Sequence, residues 1–308
     1  MHISTFKQLF THAGGIKSTT IVLESFYFRC RLLGCTPKTQ SVYAERLGYL
    51  LRCAESTGNR IEELNKHDLQ RYIDTQIDSV SSVTINGRIQ VFRVFYRHLQ
   101  KEGLIEANPM EDIKKVKQPH TIKRVVTPAE VGLILEKIDK RTFLGSRDRA
   151  LILLTFDAML RLSEVLSIKT EELDLRSGVI HVNGKGRKER FVAFSPATAQ
   201  LLHTYTTRFR SGIPGDLLFC TRQGKPIGHR FAQRIFSNPA LKAGLHLNPH
   251  LARHSGATAF VRAGGPLPVL QRALGRSTLR VTERYIHTDD SDLHKAYEQF
   301  SPANGIQL

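Results

Sequence analysis

The stretch GVIHVNGKGRKERFVAF, residues 178–194, is where the periodicity of this sequence changes. Val179, Ile180 and Val182 lead into Asn183-Gly184-Lys185-Gly186, and Phe191, Val192 and Phe194 follow. Two short β-prone runs around a glycine-rich turn predict a β-hairpin with Lys185 at its tip.

On both sides of the hairpin the pattern is helical. Thr127-Pro128-Ala129-Glu130 predicts a helix start, with a capping threonine, proline at the first helical position and glutamate at the third. Ala150–Phe156 is almost wholly apolar, the mark of a buried helix, and Leu201–Tyr205, His254–Ala263 and Leu267–Leu274 read as further helices. Nearer the N-terminus, Tyr43, Leu47, Leu50, Leu51 and Ala54 fall on one helical face, as do Ile85, Ile89, Phe92 and Tyr96. Thr36-Pro37 and Ser81-Ser82 read as helix starts, Gly58 and Gly103 as stops. The fold class expected is mainly α with a small antiparallel β-sheet. It divides into a helical block over 19–108, a basic linker over 109–125 and a second domain over 126–308. The linker carries Lys114, Lys115, Lys117, Lys123 and Arg124, and Pro109 and Pro119 break any helix.

The 308 residues include 45 Lys and Arg against 28 Asp and Glu, a formal net charge of +17. Such an excess points to a polyanionic partner, nucleic acid first among them. The candidate phosphate contacts are Arg88, Arg93 and Arg97 on the second N-terminal helix, with Lys114, Lys115 and Lys117 of the linker. No apolar run is long enough for a membrane span, the first 20 residues lack the apolar core of a signal peptide, and four cysteines are too few for a disulfide scaffold. The expected setting is cytoplasmic and DNA-associated, without membrane.

Several chemistries fall away on spacing. Gly14-Gly15-Ile16-Lys17-Ser18-Thr19 lacks the Gly-Lys pair of a phosphate-binding loop. Cys30 and Cys35 have no second Cys/His pair to complete a zinc site, and no acidic cluster resembles a two-metal nuclease centre. No cofactor is expected. What stands out in the second block is a series in fixed order: Arg161 with Glu164 three residues on, Lys185, His250-Leu251-Ala252-Arg253-His254, Leu274-Gly275-Arg276, and Tyr285 nine positions after Arg276. Each alone is an ordinary surface cation, turn or structural histidine.

In this order they resemble the tyrosine recombinase (phage integrase) family, of the simple Xer-like or transposon-borne type. Its signature is Arg, Glu three later, a hairpin Lys, His-x-x-Arg-His, Leu-Gly-His and a Tyr nucleophile. The resemblance covers about Val126 to Pro302, and the helical first block looks like the family's core-binding domain. It implies a two-domain clamp that cleaves and rejoins DNA through a 3′-phosphotyrosine. Tyr285 would attack the scissile phosphate. Arg161 and Arg253 would donate forked hydrogen bonds to its non-bridging oxygens, where arginine's fixed charge and planar geometry suit the task. A phenol has a pKa of about 10 and needs a proton acceptor; His250 would accept that proton or hold the phosphate. Lys185 is the expected general acid for the leaving 5′-oxygen. Glu164 would orient Lys185 or Arg161, and His254 would support the helix start.

The sequence departs from the family pattern twice. The usual Leu-Gly-His reads Leu274-Gly275-Arg276, so an arginine replaces a histidine at the phosphate, and the usual Thr-Gly before the first arginine is Ala158-Met159. The segment before the first block is about 20 residues, too short for the additional arm-binding domain of heterobivalent integrases. Leu293, Ala296, Tyr297 and Phe300 predict a short amphipathic helix, which in the family packs into a neighbouring subunit. The partners implied are double-stranded DNA recombination sites and a homo-tetramer working through a Holliday junction. Accessory proteins are not specified by the sequence. The rival readings are a DNA-binding protein of the same fold that has lost cleavage, and a type IB topoisomerase.

Overall fold

A computed structural model describes residues 17–118, 124–183 and 189–275. The chain separates into two compact units, Met1–Ile122 and Lys123–Leu308, each with its own core.

In the first unit, helices α1 (Lys17–Leu32), α2 (Pro37–Thr57), α3 (Lys66–Ile77) and α4 (Ser82–Lys101) follow one another. Their ends obey local chemistry. The hydroxyls of Thr36 and Ser81 accept from the amides of Thr39 and Thr84, and Gly58 closes α2 at φ 71°, a conformation that favours glycine. The faces marked by periodicity turn inward: Leu47, Leu50, Ile89, Phe92 and Phe95 are buried, and the Tyr96 hydroxyl donates to the Ile61 carbonyl at 2.7 Å. Cys30 belongs to this core. Burial pushes its thiol up to about 12, with the neighbouring Cys35 adding to the shift.

The segment expected as linker differs in its first half. Met110 and Ile113 are buried in the first unit's core. The Asn86 side-chain amide donates to the Val116 carbonyl and its oxygen accepts from the Val116 amide, both at 2.8 Å. Apolar residues interleaved with lysines explain this: Ile113 and Val116 pack inward while Lys114, Lys115 and Lys117 stay exposed.

The second unit is built around α6 (Phe143–Asp157), whose Ala150, Leu151, Ile152, Leu154 and Thr155 are buried. α5 (Pro128–Glu136) precedes it, with the capping box formed by Thr127 and Glu130. α7 (Leu162–Ser167) follows, then strands β1 (Leu173–Asp174), β2 (Val179–Asn183) and β3 (Glu189–Ala193) as one antiparallel sheet in the order β1-β2-β3. Ile180 pairs with Val192 and Val182 with Arg190, so all four lie on one face. Ile180, Val182 and Val192 are buried in the core, whereas Phe191, on the other face, is exposed. α8 (Pro196–Tyr205), α9 (His229–Lys242), α10 (Pro249–Arg262) and α11 (Leu267–Leu274) complete the described residues. α10 crosses α6 very closely at Gly256, where a Cβ would lie 1.8 Å from the Phe156 carbonyl oxygen. None of the described helices is long and apolar enough to cross a membrane.

Candidate active site

The turn between α6 and α7 sets the first candidate arginine. Met159 occupies the left-handed region at φ 52°, alone in this among the described non-glycine residues. That conformation explains why glycine is the residue the family pattern places here. Met159 is nevertheless buried, packed with Ala257, Leu270 and Leu274 beneath α11. The strain of a left-handed residue is roughly 1–2 kcal/mol, whereas deleting a buried methionine side chain costs about 2–5 kcal/mol. Packing wins. Met159→Gly is therefore expected to lower stability by roughly 1–3 kcal/mol in urea unfolding, and a gain in stability would show that strain dominates.

Arg161 caps the start of α7, with its side chain 41% exposed, and Glu164 sits one turn on with its own 4% exposed. Glu164 receives four hydrogen bonds. The Arg161 amide donates to Oε2 at 2.8 Å and Arg161 Nη1 to Oε1 at 2.8 Å. Arg190, from β3, donates through Nη1 to Oε1 at 3.1 Å and through Nη2 to Oε2 at 3.0 Å. Arg253, from α10, forms an ion pair with the same carboxylate at 3.6 Å and donates through Nη2 to the Leu274 carbonyl at 2.9 Å. Burial pushes the Glu164 carboxyl up, but the hydrogen bonds from Arg190 and Arg161 more than offset it and hold the group below its ordinary value. One carboxylate among three guanidiniums leaves positive charge in excess, which suits an anion at the exposed Arg161 edge.

The structure thus brings Arg161, Glu164 and Arg253 together. His250 is exposed on α10, three residues before Arg253, and the half-buried His254 follows Arg253 directly. Lys185, Arg276 and Tyr285 lie outside the described residues, as does the C-terminal segment that carries Leu293 to Phe300. Of the N-terminal candidates, Arg97 is exposed. Arg88 is buried, with its guanidinium 3.6 Å from the centre of the Tyr49 ring and donating to Gln76 at 2.7 Å. Arg93 donates to the Ile113 carbonyl. Both are held by their own unit, because a long side chain next to an apolar helix face finds partners within the fold.

Arg190 is the residue that sequence reasoning missed. The signal was there: in Glu189-Arg190-Phe191-Val192, strand alternation places Arg190 on the same face as the apolar Val192. A charge on the buried face of a strand requires a partner.

Compared with known proteins, residues 124–292 match the profile described as "Phage integrase family", and residues 33–103 match "Phage integrase, N-terminal SAM-like domain". The chain belongs to the phage integrase family. As an integrase-family member it is a tyrosine recombinase, a DNA breaking-and-rejoining enzyme of site-specific recombination. It is 32% identical to tyrosine recombinase XerC of Bacillus subtilis (strain 168) over 79% of this chain and 85% of that one. Against tyrosine recombinase XerD of Ralstonia nicotianae it is 29% identical over 87% and 90%. The integrase fold matches the XerH site-specific recombinase bound to palindromic difH substrate in a post-cleavage complex. There the TM-score is 0.72 and the identity 23%, over 84% of this chain and 79% of that one. It also matches the Tn1549 transposon integrase in complex with a circular intermediate DNA, with a TM-score of 0.72 and 19% identity, over 90% and 98%.

Proposed function

We propose that this integrase cleaves and rejoins double-stranded DNA at specific sites through Tyr285, acting as a tetramer on paired sites through a Holliday junction. The observation that carries this reading is the convergence of Arg161 and Arg253 on the buried Glu164, a cationic edge where a phosphodiester can seat. The Tyr285 oxygen attacks phosphorus and the bond from phosphorus to the 5′-oxygen breaks. The phenol proton passes to His250, and Lys185 delivers a proton to the departing 5′-oxygen. Arg161, Arg253 and Arg276 stabilise the charge that develops on the non-bridging oxygens. The product is a 3′-phosphotyrosine and a 5′-hydroxyl. Attack by a 5′-hydroxyl on the phosphotyrosine restores the backbone, so the bond energy is conserved and the cycle requires neither metal nor nucleotide. Arg97 and the exposed Lys114, Lys115 and Lys117 are proposed to track the DNA backbone.

The test uses duplexes enriched on the wild-type chain from a random-sequence pool and resynthesised with a nick at each successive position. The nick lets the short 5′-hydroxyl strand diffuse away and traps the covalent complex. Without metal or ATP, wild type is expected to give a protease-sensitive band on a denaturing gel, and Tyr285→Phe none at equal binding. Tight binding with no band from wild type would instead favour a non-cleaving binding protein, with Arg276 and Met159 the residues to restore first. A band from Tyr285→Phe would overturn the nucleophile.

A further inference from the structure

Arg190 is not one of the residues in the cleavage mechanism, yet its contacts join the buried Glu164 to the end of α11. Its guanidinium grips Glu164 in a two-pronged ion pair at 3.0 and 3.1 Å. Its Nε donates at 3.1 Å to the carbonyl of Ala273, in the last turn of α11. The neighbouring carbonyl, of Leu274, accepts from Arg253. Carbonyls at a helix C-terminus lack partners within the helix and carry partial negative charge, so both arginines meet complementary acceptors. Gly275 then closes α11 at φ 62°, and a Cβ there would stand 3.1 Å from the Arg190 guanidinium. The absence of a side chain at Gly275 leaves the room that Arg190 fills. Arg190 also sits on β3, five residues after Lys185, and Gly275 immediately precedes Arg276.

We propose that Arg190 is a positioning residue for DNA cleavage. It fixes in one frame the carboxylate that aligns Arg161 and Arg253, the strand that leads from Lys185, and the helix end from which the chain runs to Arg276 and Tyr285. It touches no reacting atom. Its effect passes through Glu164 and through the α11 carbonyls. Arginine is required because the task needs a planar fork with a third donor, which the single ammonium of lysine cannot supply. This inference rests on the recombinase reading above.

The experiment uses the full-length chain and the nicked duplex that the wild type cleaves fastest. Dissociation constants are measured by fluorescence anisotropy, and the rate of covalent adduct formation is measured at saturating protein in a single turnover. Arg190→Ala is expected to keep its DNA affinity while the adduct rate falls about 100-fold, the scale on which misplacement by an ångström acts. Arg190→Lys should fall in between. Gly275→Ala crowds the guanidinium without removing charge and should slow the same step. In the double variant Arg190→Ala/Gly275→Ala the crowding is gone and only the strain of an alanine at φ 62° remains, so the two losses should be less than additive. A merely structural role would lower affinity and adduct yield together, in proportion to the folded fraction, and that result would overturn the proposal. So would a wild-type adduct rate in folded Arg190→Ala or, if that variant does not fold, in Arg190→Lys. Failure of the recombinase reading is seen separately, as a wild-type chain that gives no adduct on any nicked duplex, and it removes the proposal with it.

Discussion

Glu164→Gln is expected to destabilise the catalytic unit by about 3–5 kcal/mol, the usual result of removing one partner from a buried charge cluster. The side chain keeps its shape, so the loss is electrostatic. Three guanidiniums lose their shared carboxylate, and two of them, those of Arg190 and Arg253, have side chains only 10% and 5% exposed. In a unit of this size the penalty corresponds to a melting temperature lower by roughly 6–20 °C. Binding should move the other way. The variant carries one more net positive charge beside the phosphate seat, so DNA affinity is expected to hold or rise while covalent adduct formation falls. A variant that loses affinity and adduct alike would show that Glu164 shapes the DNA surface and not the arginines. The pH dependence has a definite sign. The Glu164 carboxyl titrates below its ordinary 4.5 in the folded protein, so near that pH the unfolded chain binds more protons. The stabilisation is complete above about pH 4.5 and is lost as pH falls through the depressed value. Acid unfolding of wild type should steepen in that window, and Glu164→Gln should lack the steepening.

Gly256→Ala is expected to be nearly as severe from a smaller chemical change. The added methyl would sit 1.8 Å from the Phe156 carbonyl oxygen and 3.4 Å from Met159 Cγ. The first neighbour is backbone in the last turn of α6, so no rotamer change relieves the clash. α10 must move away from α6 by more than about 1 Å to restore ordinary contact. Overpacking typically costs about 1–3 kcal/mol, and a backbone obstacle places this case at the upper end, a large part of a domain's usual 5–15 kcal/mol. The shift also carries Arg253, one turn earlier on α10, away from Glu164, so the surviving folded molecules should cleave slowly. Circular dichroism melting combined with the single-turnover assay separates these effects. A melting temperature within about 2 °C of wild type would mean that the crossing relaxes freely, contrary to this account.

Both predictions turn on residues whose importance was unevenly legible in the sequence. Glu164 was visible through its spacing from Arg161, and the helices around it through periodicity and caps such as Thr36, Ser81 and the Thr127/Glu130 pair. These signals are local, and local chemistry is what sequence patterns record. Gly256 gave no such signal, because a glycine within a helical pattern shows nothing of the backbone that passes beside it. Arg190 was open to view through strand alternation, but its partners lie 26 and 83 residues away in sequence. The first half of the expected linker differs for a related reason. Its lysines and prolines dominate the composition, while the burial is carried by Met110, Ile113 and Val116 between them.

The grip of Arg190 and Arg253 on the end of α11 can also be described as the fixed post of a tether. Tyr285 is ten residues beyond Gly275, and a chain of that length reaches at most about 36 Å. Whatever path the intervening residues take, the Tyr285 backbone is confined to a sphere of that radius centred on the post. Its concentration within that sphere lies in the millimolar range at any dilution of the protein. Arg253 is common to the post and to the proposed phosphate seat, so a shift of one reaches the other. Lengthening the tether beyond Gly275 would dilute the proposed nucleophile gradually, whereas loosening the post would move the whole sphere off its target at once.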